Sequence, residues 1–192
     1  MKCISTLLFS FLFVAFSINA QTAQITGKVD NPLGGAMANV TIELIASDGT
    51  KQSTSTNDAG IYTFSAPIGD TYSLQFIGEE EPLEGVSTLD LVFGLQHIIH
   101  VREFTFPHEY LSADVNGSGT VSVADMWQMR QMILGMQTSW TKPSWVFIPK
   151  GFELEIGDEI PASIPYQIEL LADETEVNFT GVKTGDISGN AY

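Results

Sequence analysis

Cysteine is almost absent. Cys3 is the only one in 192 residues, and it precedes the apolar core of the opening segment, where it is not placed to become the lipid-bearing first residue of a mature lipoprotein. The rest of the chain has neither thiol nor disulfide. An oxidising compartment is permitted but not used, and stability has to come from packing and from bound ligands. Basic residues are scarce as well: 8 Lys and Arg stand against 23 Asp and Glu, a formal charge of -15. That balance argues against nucleic acid as a partner and suits a medium rich in divalent cations. Only one long apolar run exists, Cys3 to about Ile18, behind Met1-Lys2 and ending in Ser17-Ile-Asn-Ala20. A basic start, a short apolar core and a small residue before the cut are the marks of a secretory signal over residues 1–20. They predict a secreted or cell-surface protein, and no second run is long enough for a membrane span.

Catalytic arrangements are missing too. His97 and His100 are three apart but lack the Glu and the spacing of a zinc hydrolase helix. Glu153, Glu155, Asp158 and Glu159 crowd one stretch, yet a glycosidase needs two carboxyls held across a cleft. The alternation of Glu153 and Glu155 with Phe152, Leu154 and Ile156 instead reads as the wet side of a strand. The chain is expected to be non-enzymatic.

What is present is a rhythm of oxygens. Asp114-Val-Asn-Gly-Ser-Gly-Thr-Val-Ser-Val-Ala-Asp125 places Asp114, Asn116 and Ser118 at positions one, three and five of a twelve-residue loop. Gly119 falls at six, where a calcium loop turns sharply. Thr120 offers its carbonyl at seven, Ser122 stands at nine, and Asp125 closes at twelve in place of the usual Glu. Calcium takes six to eight oxygens, and this spacing wraps them round one ion. The following residues, through Gly135, read as a helix with Met126, Met129 and Ile133 toward the core. Pro107 and shortness argue against a helix before the loop.

A second, weaker copy lies upstream. Val86, Ser87 and Asp90 correspond to Val121, Ser122 and Asp125, and Leu91, Leu95 and Ile98 form the matching helical face. Projecting the loop backwards puts Glu79, Glu81 and Leu83 at one, three and five. It either binds calcium in altered geometry or keeps the fold without the ion. Near the end, Gly185-Asp-Ile-Ser-Gly189 resembles a truncated loop of the same character, in which Asp186 caps a turn or reaches an ion.

Two loop-helix units in tandem, from Glu79 to Thr138, resemble the dockerin family. The resemblance implies a calcium-dependent module of secreted polysaccharide-degrading systems that docks onto a cohesin-like protein. The family's recognition positions fall on Thr88 and Leu89 in one unit and on Val123 and Ala124 in the other. The Trp-containing strand Ser144-Trp-Val-Phe and the closing Gly181-Val-Lys-Thr-Gly-Asp-Ile-Ser-Gly-Asn-Ala resemble a variant found in secreted proteins of Bacteroidetes-like bacteria.

Residues 21–78 read as short strands broken by Gly, Asn and Asp turns. Val40, Ile42 and Leu44 share a face, as do Tyr72, Leu74 and Phe76. Ile25-Thr-Gly-Lys-Val, Pro32 to Ile42 and Thr56-Asn-Asp-Ala-Gly-Ile-Tyr-Thr-Phe resemble the carboxypeptidase regulatory-like family, which implies a transthyretin-like β-sandwich. The expected fold is therefore mainly β with a small α component. A sandwich over 21–78 precedes a calcium module over 79–192 that ends in strands. The expected function is protein attachment or extracellular assembly. The alternative is a carbohydrate-binding accessory module for polysaccharide, with Tyr62, Tyr72, Trp140 and Trp145 as candidate sugar-stacking residues.

Overall fold

A computed structural model of the chain describes residues 21–78, 81–154, 166–170 and 174–191. The signal segment, Glu79, Glu155, Ile156, Asp158 and Glu159 lie outside the described residues. Among the described residues the fold is mainly β, with three short helices.

Five strands come first: β1 (Thr22–Asp30), β2 (Thr41–Ala46), β3 (Lys51–Ser55), β4 (Ile61–Pro67) and β5 (Thr71–Ile77). Alternation decides their inner faces, because neighbouring side chains on a strand point to opposite sides. In β4, Tyr62, Phe64 and Ala66 are buried while Ile61, Thr63 and Ser65 are exposed. Three helices follow: α1 (Thr88–Ile98), α2 (Pro107–Ala113) and α3 (Val123–Ile133). Four strands close the chain: β6 (Trp145–Pro149), β7 (Tyr166–Glu169), β8 (Glu174–Glu176) and β9 (Phe179–Lys183).

The division expected after residue 78 does not hold in the sheets. One sheet runs β4-β1-β9-β6, with β8 also parallel to β1, and the other runs β3-β2-β5-β7. Both sheets thus draw strands from each end of the chain. Their inner faces form one core of Ile25, Ile42, Leu44, Phe64, Leu74, Phe147, Leu170 and Phe179. The physical reason is completion: β1 and β5 would otherwise offer unpaired backbone along one side. Val29 and Asp30 of β1 pair in parallel with Phe179 and Thr180. Thr71 to Leu74 of β5 pair with Glu169 to Tyr166.

β6 is apolar throughout because it is covered on both sides. Trp145 and Phe147 enter the sandwich core, whereas Val146 and Ile148 meet Leu111 of α2 and Val182. A separate cluster of Phe104, Val115, Met126, Met129, Met132, Trp140 and Ile187 holds the helices.

Three local expectations change. A helix does enter the Asp114 loop: Pro107 sits in the first turn of α2, where a missing N–H costs nothing. Glu109 then accepts the N–H groups of Thr105 (2.7 Å) and Phe106 (3.1 Å). On α1 the inward face is Leu91, Gly94 and Ile98, while Leu95 turns outward. Gly94 faces the flexible end of Met126 of α3, whose Sδ would lie 2.3 Å from a Cβ there. Glu153 is exposed in irregular chain rather than on a strand.

Candidate functional site

The contiguous loop starts where α2 ends and finishes inside the first turn of α3. Val115 is fully buried and Val121 packs on the same cluster, so both halves of the loop are pinned by apolar anchors. Between them Gly117 and Gly119 take φ of +71° and +84°, which side chains disfavour. The N–H of Ser118 and of Gly119 donate to Asp114 Oδ1 (3.0 Å) and Oδ2 (3.1 Å). Ser118 N–H also reaches Asn116 Oδ1 at 2.8 Å. From the far end, Asp125 Oδ1 accepts Asn116 N–H at 3.3 Å, and its Oδ2 accepts Ser122 N–H at 2.8 Å and Ser122 Oγ–H at 2.9 Å. Ser118 Oγ donates to the Thr120 carbonyl at 3.2 Å. The six expected residues, Asp114, Asn116, Ser118, Thr120, Ser122 and Asp125, are therefore brought together in one loop.

Asp114 and Asp125 are buried, at 1% and 0% exposure. Burial pushes the Asp125 carboxyl above the usual range and the charge of Asp114 adds to it, against the Ser122 and Asn116 donors. The Lys142 ammonium feels both. Burial pushes it down to about 8 although both aspartates pull it up, and its Nζ donates to the Leu111 carbonyl at 2.5 Å. The donor set fits a hard cation: two carboxylates, an amide oxygen, hydroxyls and a backbone carbonyl. Among the described residues, no group of three or more His, Cys, Asp and Glu is placed to hold a metal, so the neutral oxygens have to complete any shell.

Upstream the expectation fails in part. Asp90 is buried at the start of α1, and its Oδ2 accepts Ser87 N–H and Oγ–H, both at 2.8 Å. Glu81 is exposed, and its carbonyl accepts the Glu84 N–H in a turn. The residue that meets Asp90 is Ser188, whose N–H donates to Asp90 Oδ1 at 2.8 Å. The segment after β9 then folds round Asp186, which accepts Gly189 N–H on Oδ1 (2.9 Å) and Ala191 N–H on Oδ2 (2.7 Å). Asp186 is 1% exposed, and burial raises its carboxyl, with Asp90 adding repulsion. Ser188 is the residue beside Asp90 that sequence reasoning did not single out. The signal was there: Asp186-Ile-Ser-Gly-Asn-Ala repeats Asp114-Val-Asn-Gly-Ser-Gly position for position.

His97 does not form a metal pair with His100. Its ring stacks on Phe104 at 4.0 Å, and its Nδ1 accepts the Phe104 N–H at 3.2 Å. Both histidines turn toward Glu103.

No family model matches the chain, and no curated protein does. Among solved structures, one similar chain is the C-terminal fragment of the pilus adhesin SpaC from Lactobacillus rhamnosus GG, at 11% identity and a TM-score of 0.29, over 33% of this chain and 25% of that one. The Bacillus anthracis TIE protein is 19% identical with a TM-score of 0.28, over 30% of this chain and 11% of that one. The 3-chlorocatechol 1,2-dioxygenase of Rhodococcus opacus 1CP is 12% identical with a TM-score of 0.32, over 86% and 61%. The chain spans a quarter or less of the first two in length. At these scores the likenesses carry no argument. Among the described residues no helix is long and apolar enough to cross a membrane.

Proposed function

We propose that this chain is a non-enzymatic, calcium-organised attachment protein that works outside the cell, in which bound calcium holds a helix pair ready for a partner protein. The observation that carries the calcium reading is the loop from Asp114 to Asp125: two buried carboxylates face each other with neutral oxygens at the intervening ligand positions. Asp114, Asn116, Ser118, the Thr120 carbonyl, Ser122 and Asp125 would hold the ion, which neutralises the pair and braces the start of α3.

The attachment reading rests on what the helices leave uncovered. Val92, Ile99 and Val101 on one unit and Trp127, Leu134 and Met136 on the other are all exposed. Each pair, Val92 with Trp127, Ile99 with Leu134 and Val101 with Met136, is separated by the same interval as Asp90 and Asp125. Exposed apolar residues set out twice in this way support the reading of an interaction surface. A cohesin-like protein fits that surface in kind. The polysaccharide alternative loses its stacking residues, since Tyr62, Tyr72, Trp140 and Trp145 are all buried.

Calcium titration followed by calorimetric melting tests the reading. An ion at a hundred-fold excess over its Kd adds about 2.7 kcal/mol, which in a chain of this size raises Tm by roughly 5–10 °C. Asp114→Ala with Asp125→Ala is expected to remove most of that gain. Identical melting in chelator and in excess calcium would sink the proposal.

A further inference from the structure

The segment after β9 shares three of the hydrogen bonds that shape the contiguous loop. Asp186 receives the N–H five residues on, from Ala191, as Asp114 receives that of Gly119. The N–H of the third position crosses to the closing aspartate in both: Ser188 to Asp90 at 2.8 Å, and Asn116 to Asp125 at 3.3 Å. The ninth position caps its helix in both, Ser87 toward Leu89 N–H and Ser122 toward Ala124 N–H, each at 3.2 Å. The fourth position is a glycine at φ +73° in one and +71° in the other. The second is a buried aliphatic, Ile187 in one and Val115 in the other, and both lie in the helix core.

The connectivity differs, as do the donors to the first aspartate's Oδ1: Ser118 N–H in one loop, Gly189 N–H and Ser188 Oγ–H in the other. Gly119 runs directly into Thr120, whereas the equivalent pair, Ala191 and Gly85, are far apart in sequence. In space they abut: a Cβ on Gly85, which has φ +72°, would lie 2.6 Å from Ala191 Cβ and 2.8 Å from its Cα. The chain break thus falls between the sixth and seventh loop positions, and the missing link is replaced by contact.

We propose that the calcium loop of α1 is split: Asp186, Ser188 and Asn190 supply positions one, three and five from the end of the described chain. Gly85 gives its carbonyl at seven, and Ser87 and Asp90 complete the set. The ion at this loop fastens the last strand to the first helix. This rests on the calcium reading of the contiguous loop.

Two observations outside the hydrogen-bond match support it. None of the ion pairs among the described residues reaches Asp90 or Asp186, although both carboxylates are buried, and an uncompensated buried charge is costly. The same segment is also a junction. β9 pairs with β1 and β6, Asn31 Nδ2 donates to the Ala191 carbonyl at 3.4 Å, and Gly189 lies against Pro32 and His108. A cation here locks the helix pair to the sandwich, where an ion in the contiguous loop braces only α2 to α3.

Ion stoichiometry decides the matter, measured by calorimetric calcium titration and native mass spectrometry on the full chain. Wild type is expected to take two ions. Asp186→Asn takes one, Asp114→Asn takes one, and Glu81→Gln still takes two. Two ions in Asp186→Asn, or one in Glu81→Gln, overturns the split loop in favour of a loop drawn from residues 79–83. One ion in wild type, lost in Asp114→Asn and kept in Asp186→Asn, overturns it while sparing the calcium reading. No ion in wild type ends both. Hydrogen exchange on the wild type removes dependence on folding of the variants. Calcium is expected to slow the amides of Ser188, Gly189 and Ala191 together with those of Asn116, Ser118 and Gly119. Slowing of the second group alone overturns the proposal.

Discussion

At the scale of the residue, the decisive groups are aspartates held where water cannot screen them. Asp125 and Asp186 both have carboxyls raised by burial above the ordinary 3.8. A raised folded value means that the folded chain holds its protons longer than the unfolded one. In chelator their contribution to stability is fully present below the unfolded value and is lost as pH climbs through the folded one. Calcium needs the ionised form, so the gain from the ion grows over the same interval. Urea midpoints from about pH 4 to about pH 7 are therefore expected to fall with pH in chelator relative to those of Asp125→Asn with Asp186→Asn. The difference between calcium and chelator should widen upward. A wild type and a double variant with parallel profiles in chelator would refute this. The contiguous loop was legible because its side chains lie within twelve consecutive residues and their type and spacing carry the chemistry. Asp186 was seen and read ambiguously because its partner Asp90 is 96 positions away, and nothing local says that two half-loops will meet.

At the scale of the element, close approach is set by glycine, and the nature of the neighbour decides what a methyl group would cost. Gly27 sits in β1 where the chain between β8 and β9 crosses it. A Cβ there would lie 1.9 Å from the Val177 carbonyl oxygen, which also accepts the Tyr62 hydroxyl at 2.7 Å. That oxygen belongs to the backbone and cannot step aside. Gly94 in α1 faces the end of the Met126 side chain, which can. Overpacking a tight site costs about 1–3 kcal/mol, whereas Ala for Gly inside a helix returns about 1 kcal/mol. Gly27→Ala is expected to lower Tm by several degrees, and Gly94→Ala to change it little. Equal losses at the two positions, read by thermal melting in calcium, would show that carbonyl and thioether yield alike. Strand existence could be read from alternation, as in β4, but this kind of crossing could not. It depends on which strands become neighbours, and Tyr62 and Val177 are 115 positions apart.

At the scale of the molecule, the expected boundary after residue 78 followed composition, and hydrogen bonding overrode it. β7 completes the sheet of β2 and β5, and β9 with β6 completes that of β1 and β4. A chain built this way should lose its sandwich as one unit, since removing the last strands leaves β1 and β5 with bare edges and opens the core around Phe147 and Phe179. The helix pair is attached to that unit through α2 against β6 and β9, and through the segment from Thr184 to Ala191. Trp145 lies in the sandwich core and Trp140 in the helix cluster, where its indole N–H donates to the Pro82 carbonyl at 2.9 Å. Two variants, each keeping only one of these as a buried tryptophan and carrying Phe at Trp127, report the two halves separately by fluorescence. In excess calcium the urea midpoints are expected to coincide, because the halves share β9 and its fastening. In chelator the Trp140 signal should move at lower urea than the Trp145 signal, since the helices then keep only their small methionine-rich cluster and two repelling aspartate pairs. Separate midpoints in saturating calcium would mean that the helix pair unfolds on its own and that the last segment does not couple it to the sheets.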